Sequence, residues 1–177
     1  MTTTQKPQPT ALKLSLAAVF AALVFVATYS FVISIPATSG YFNLGETVIY
    51  VAALIFGPLV GALSGGIGAM IADIVLAAQF APGTLIIKGF EGTIVGYLNQ
   101  KFQKRNRNYS LNAVIPVIIG GLEMVAGYFI YEQLVLGYPA AVAFAEVPFN
   151  IVQMLVGLVV AIPVTQAILR VFPQLKR

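Results

Sequence analysis

Residues 12–35 read LKLSLAAVFAALVFVATYSFVISI, and this stretch decides the class of fold. A helix needs about 20 largely apolar residues to cross roughly 30 Å of hydrocarbon, and this one is long enough. It is too long for the apolar region of a signal peptide, and further stretches of the same kind follow it. It therefore reads as a retained first span. Residues 59–79, 84–102, 113–131 and 144–172 read as spans of the same sort. Residues 46–56 are apolar but few, and Gly57-Pro58 breaks them; they make the second and least regular span. Pro148 falls in the first turn of the last span and Pro163 is an expected kink. Residues 36–44 form a Gly, Ser and Pro-containing loop, Ala81-Pro82-Gly83 a turn, 103–112 a polar basic connector and 134–143 a longer loop. The expected fold is an all-α membrane protein: a six-transmembrane-helix bundle in one domain over residues 11–177, after a short disordered tail at 1–10.

Composition agrees. Hydrophobic types make up 59% of the 177 residues and charged types 9%, with mean hydropathy +0.90. A soluble domain carries about 25% charged residues, because its surface must be wetted. There is no Cys, so disulfides and thiolate metal sites are excluded, and no His, the commonest general base and metal ligand. The reading is accordingly not an enzyme, with no cofactor and no metal. A net charge of +4 invites a nucleic-acid partner, but the basic residues sit where membrane topology wants them.

Lys6 and Lys13 flank the first span, Lys101, Lys104, Arg105 and Arg107 surround the connector between the fourth and fifth, and Arg170, Lys176 and Arg177 end the chain. With six spans, these places share one face, which the positive-inside rule makes cytoplasmic. Five spans would put the Arg-rich connector opposite one terminus. Both termini are thus expected in the cytoplasm of a multi-pass protein of the cell membrane. Asn108-Tyr-Ser110 matches a glycosylation sequon but falls on that inner side.

The remaining basic residue, Lys88, lies inside the fourth span. A charge at mid-bilayer costs about 2.5–3.5 kcal/mol on insertion scales, so such residues face a cavity or a partner. The acidic residues Glu46, Asp73, Glu91, Glu123, Glu132 and Glu146 all avoid the inner segments. Thr84, Lys88 and Glu91 share one helix face, as do Glu146, Asn150 and Gln153. Together with Tyr128 these groups point to an outward-facing, partly wet pocket. Alternatives stand beside that reading. Lys88, Glu91 and Asp73 can be structural ion pairs, Glu146, Asn150 and Gln153 a polar helix end, and Glu46 and Glu132 simply exposed. Small residues recur at Gly57, Gly61, Gly65 and Ala69, and at Gly92 and Gly96, which suits close helix packing in lipid. Ala17, Ala18, Ala21 and Ala22 form two overlapping AxxxA pairs on the first span, away from the polar pocket, and suit a partner protein. No GxxxxGK[ST] phosphate loop is present, so ATP hydrolysis would need a partner.

Gly40-Tyr-Phe-Asn-Leu-Gly-Glu46, Leu54-Ile-Phe-Gly-Pro-Leu-Val-Gly61, Gly65-Gly-Ile-Gly-Ala-Met-Ile-Ala-Asp73 and Thr84-Leu-Ile-Ile-Lys-Gly-Phe-Glu-Gly92 resemble the substrate-binding S components of energy-coupling factor (ECF) vitamin transporters, in the group around riboflavin. The resemblance implies six helices and a vitamin or precursor bound near the outer surface under the loop between spans one and two. It also implies docking, through the AxxxA pattern, on a transmembrane coupling subunit driven by two ATPase subunits. Asn43, Glu46, Lys88, Glu91, Glu123, Tyr128, Glu146, Asn150 and Gln153 fall in the regions from which that family binds its ligand. Tyr41, Phe42, Phe90, Tyr128, Tyr131 and Phe149 can stack an aromatic ring. More carboxylates than cations in the pocket put hydroxymethylpyrimidine, thiamine or a pyridoxine-like compound ahead of riboflavin. A self-sufficient ion- or proton-coupled transporter is the alternative, followed by an intramembrane enzyme and an assembly subunit without a ligand.

Overall fold

The structure, a computed structural model, describes residues 9–103 and 109–175. The expectations for the tail up to Gln8, for Lys104, Arg105, Arg107 and the sequon at Asn108, and for Lys176 and Arg177 lie outside those residues. The element order is α1 (Thr10–Ser30), β1 (Ile33–Ile35), β2 (Gly40–Phe42), α2 (Gly45–Phe56), α3 (Pro58–Leu76), α4 (Ala81–Gln103), α5 (Tyr109–Leu134), α6 (Ala140–Phe144), α7 (Val147–Val171) and a closing 3₁₀ turn at Pro173–Leu175. Five long helices and the shorter α2 fall in the six stretches read as spans.

Two local expectations are corrected. The first span ends at Ser30, and the β-branched run that follows forms a hairpin instead of more helix, pairing Ile33 with Phe42, Ser34 with Tyr41 and Ile35 with Gly40. The loop before the last span holds the short helix α6. Helix α7 runs through Pro163 from Val147 to Val171.

By length and composition α1, α3, the segment Asn112–Leu134 and the stretch Ala140–Val171 can each cross a membrane. Helix α4 is long enough, but Lys88, Glu91, Asn99 and Lys101 lower its apolarity. Helix α2 has 12 residues, about 18 Å at 1.5 Å per residue. It sits at the centre of the bundle. Ile49, Tyr50, Val51, Ala52, Ala53, Leu54 and Ile55 are all buried, so it is apolar on every side and meets α1, α3, α4 and α7. The hairpin precedes it at one end. Gly57 closes the other, with φ of 88°, a left-handed conformation that only glycine adopts without strain, and Pro58 starts α3 at once.

Consecutive long helices run antiparallel. Pro58 lies against Gly96, Gly61 against Gly92 and Gly65 against Lys88, while α1 runs parallel to α3 with Ala21 beside Gly68. Lys13, Lys101 and Arg170 therefore lie at one end of the bundle. The hairpin, the α3–α4 turn and α6 lie at the other.

The seam between α3 and α4 depends on bare backbone. A Cβ on Gly61 would lie 2.7 Å from the Gly92 carbonyl oxygen, and one on Gly65 would lie 2.8 Å from the Lys88 carbonyl oxygen. Gly89, on the same helix, has only one neighbouring atom within reach, at 3.8 Å. Gly92→Val should therefore cost about 1–3 kcal/mol or more through overpacking, and lower the melting temperature in detergent by several degrees. Gly89→Ala should leave it unchanged. Equal melting of the two variants would show that the seam does not set the packing.

Candidate functional site

The polar side chains gather beneath the hairpin in two layers. The upper layer is a cleft lined by Gly40, Tyr41, Asn43, Asp73, Phe80, Tyr128, Glu146, Asn150 and Gln153. The hairpin forms its roof, α3 and the α3–α4 turn one wall, and α5 and α7 the others. The cleft is partly open, and its volume is about 30 Å³, room for about two water molecules.

Side chains of the bundle tie the roof down. The Thr38 hydroxyl donates to Glu146 at the head of α7, and the Tyr41 hydroxyl donates to Asp73 on α3. The Asn43 backbone N–H donates to Gln153 Oε1 at 2.8 Å, and the Tyr138 hydroxyl to the Thr38 carbonyl at 3.0 Å. Gly40 crosses directly over Glu146, where a Cβ would collide with the carboxylate. Burial, and then the Asp73 carboxylate beside it, push the Tyr41 hydroxyl well above the ordinary tyrosine value, so it remains a donor. Asp73 also accepts from Thr84, whose hydroxyl oxygen lies 2.8 Å from that of Tyr128.

The lower layer is an ion cluster. Lys88 Nζ pairs with Glu46 from α2 and lies 3.3 Å from Glu91 Oε2, one turn along its own helix. It also stands 5.4 Å from the centre of the Tyr128 ring, within cation–π range. Gln153 Nε2 donates to Glu46 Oε1 at 3.0 Å, and the Tyr50 hydroxyl to Glu91 Oε1 at 2.8 Å. Glu46 opens α2, where the helix dipole favours a carboxylate. Gln153 joins the layers, since its amide N–H₂ binds Glu46 below and its oxygen holds the roof above.

The nine expected site residues thus divide. Asn43, Tyr128, Glu146, Asn150 and Gln153 line the cleft. Glu46, Lys88 and Glu91 lie beneath it as the ion cluster. Glu123 is half-buried, within electrostatic reach of Glu91 and Lys88, and its Oε2 has no hydrogen-bond partner among the described residues.

Several weighed alternatives are corrected. Glu46 and Glu132 are not solvent-exposed: they are 1% and 0% accessible. Asp73 does not join Lys88 and Glu91; Tyr41 and Thr84 hold it, and it faces the cleft. The Lys88–Glu91 pair is not self-contained, because Glu46 completes it. Phe90 and Phe149 face outward at 58% and 40% exposure, so neither can stack a ligand in the cleft. Phe42 is buried beside Phe31, and the Tyr131 hydroxyl donates to the Gln79 carbonyl at 2.8 Å. Of the alanines, Ala17 and Ala21 are buried against neighbouring helices and cannot offer a docking face, whereas Ala18 and Ala22 are exposed. Gly40 and Phe80 complete the lining without having been expected. The Gly in the Gly40–Glu46 motif was a usable signal for the first. Phe80 lies in a turn, where helical periodicity says nothing about direction.

Removing the Lys88 ammonium leaves Glu46 and Glu91 facing each other in an apolar interior. Breaking one side of a buried pair costs about 3–5 kcal/mol. Lys88→Met should therefore unfold far below the wild-type temperature in detergent, and Lys88→Met with Glu46→Gln should recover part of the loss. A Lys88→Met protein as stable as wild type would remove the cluster from its structural role.

Three comparisons bear on this geometry. Residues 9–170 match the family model described as ECF-type riboflavin transporter, S component. The chain is 39% identical over 137 residues to an uncharacterised protein of Pyrococcus woesei, covering 77% of this chain and 88% of that one. It is 34% identical over 151 residues to the thiamine precursor transporter HmpT of Lactococcus lactis subsp. cremoris (strain MG1363), covering 84% and 82%. A solved structure described as the S component of a bacterial ECF transporter superposes with a TM-score of 0.67 at 19% identity, over 96% of this chain and all of that one, which is a likeness of fold. With the model match running nearly end to end, the chain belongs to the family of ECF-type riboflavin transporter S components.

Proposed function

We propose that the protein captures a small aromatic, amine-bearing molecule of the thiamine-precursor class in the cleft under the hairpin and delivers it to an ATP-driven coupling module. The observation that carries this reading is the cleft's lining. Asp73 and Glu146 supply anionic acceptors, Asn43, Asn150 and Gln153 amide groups, and Tyr41, Phe80 and Tyr128 aromatic walls, while among the described residues no Lys or Arg lines it. That set favours a flat ring carrying hydrogen-bond donors. The family description names riboflavin and the Lactococcus relative a thiamine precursor. The surplus of acceptors favours hydroxymethylpyrimidine, with thiamine or a pyridoxine-like compound next and riboflavin last. The hairpin must lift to admit any of them, because about 30 Å³ holds no ring.

The alternative, a self-sufficient proton-coupled carrier, needs ionisable groups along a through-path. Away from the hairpin, below Glu91 and Glu123, the buried polar groups of the described bundle include Ser64, Asn99 and Thr165, and none of the chain's six acidic residues lies there. We place the hairpin outside the cell and both termini in the cytoplasm, from the basic residues clustered at the opposite end. Ala18 and Ala22 are the exposed small-residue pair on α1 suited to a coupling subunit.

Mass spectrometry of small molecules retained by the purified protein should reveal an aromatic amine. Ala18→Leu with Ala22→Leu should keep that molecule bound yet abolish uptake by the assembled transporter. Loss of the bound molecule in that variant would contradict the separation of pocket from docking face. Because the chain has no Cys, orientation can be read with single introduced thiols. A membrane-impermeant maleimide added to intact cells should label Ala140→Cys and spare Lys101→Cys. The reverse pattern would invert the topology.

A further inference from the structure

We propose that Asp73 is the acceptor that reads a hydrogen-bond donor on the ligand, and that the Tyr41 hydroxyl holds this place while the cleft is closed, so that binding exchanges one donor for another. The inference rests on the functional reading just given and assigns the group that would discriminate within it.

The two oxygens of Asp73 are held differently. Oδ2 accepts from Thr84, which is buried on α4 and in contact with the Tyr128 hydroxyl. That contact belongs to the packed bundle. Oδ1 accepts from Tyr41, which arrives on the hairpin, outside the helices. Both residues line the same cleft. The cleft has no room for a ring while Tyr41 is seated, so lifting the hairpin removes the donor from Oδ1. Once the roof closes again over a ligand and excludes water, a carboxylate oxygen left without a partner is costly, so the group that has entered must satisfy it.

Tyr41 is also chemically apt as a placeholder. It is a flat ring with a donor on its edge, the two features of an aminopyrimidine. Burial and the neighbouring carboxylate keep its hydroxyl protonated, hence donating. The other roof contacts differ: Tyr138 brings a ring but donates to the roof's own Thr38 carbonyl and not to a cleft carboxylate. Asn43 uses its backbone N–H, and Thr38 brings no ring.

Two probes test the inference by calorimetry on the purified full chain: hydroxymethyl aminopyrimidine, and the same compound without its ring amino group. Wild type should prefer the amino compound by roughly 10- to 100-fold, the range of a hydrogen bond to a charged acceptor. Asp73→Asn should collapse that preference. Tyr41→Phe, which keeps the ring, should tighten both probes by roughly three- to tenfold, because no internal donor has to be displaced, and should leave the preference intact. In the Asp73→Asn background the gain from Tyr41→Phe should shrink, the mark of a coupled pair. Unchanged or weaker binding by Tyr41→Phe would mean that Tyr41 stays on Asp73 in the bound state, and would overturn the exchange. Equal wild-type affinity for the two probes would overturn the reading role of Asp73, and this arm stands even where Asp73→Asn fails to fold. If wild type and Tyr41→Phe bind neither probe while another compound co-purifies, the aminopyrimidine reading itself falls, and the inference with it.

Discussion

A single ammonium group inside an apolar bundle constrains most of this molecule. Lys88 is 3% accessible, and its charge must be met where it stands. Glu46 meets it from α2 and Glu91 from its own helix, and the Tyr128 ring adds its face from α5. Gln153 then reaches Glu46 from α7 and the hairpin backbone at Asn43. Four helices and the roof are linked through one cation. Such a cluster is weak evidence for stability, since apolar residues of similar volume can do as well. Its stronger effect is on register. Sliding α2 or α4 by one turn would strand a charge in hydrocarbon, so alternative packings of these interchangeable apolar surfaces are disfavoured.

The rest of the core uses a different device. In lipid there is no hydrophobic force to pull helices together, so association depends on close van der Waals contact. The glycines of α3 and α4 bring two backbones into contact along one seam, and α1 closes on α3 where Ala21 meets Gly68. The outer surface is then left to large apolar side chains. Leu14, Val19, Val26, Ile74, Val75, Ile86, Ile119 and Val159 are all exposed, as lipid contact requires.

Much of this was legible in the sequence because it follows from hydropathy and from backbone chemistry. The long helices, the break at Gly57-Pro58 and the glycine repeat need no tertiary information. The stripe Glu146, Asn150 and Gln153 was readable from helical spacing, and all three residues face inward. Partners were not readable. Asp73 and Lys88 lie on adjacent helices, and only the packing shows that Tyr41 and Thr84 take the first while Glu46 takes the second. Side-chain direction at helix ends was equally hidden. Phe90 and Phe149 belong to polar segments yet are exposed, Phe90 well round the helix from Lys88 and Glu91 and Phe149 at the edge of the stripe of Glu146 and Gln153. The two alanine pairs on α1 differ by one position, about 100° around the helix, which is enough to bury one pair and expose the other.

The glycine seam and the polar cleft have few side chains in common. Substitutions more than about 7–10 Å apart with no shared partners act nearly independently. The scaffold can therefore be held fixed while the cleft is rewritten. Exchanging a roof residue such as Tyr41, or a wall residue such as Phe80 or Asn150, would change the lining of the cleft without disturbing the seam on which it stands. One scaffold can in this way carry many different linings.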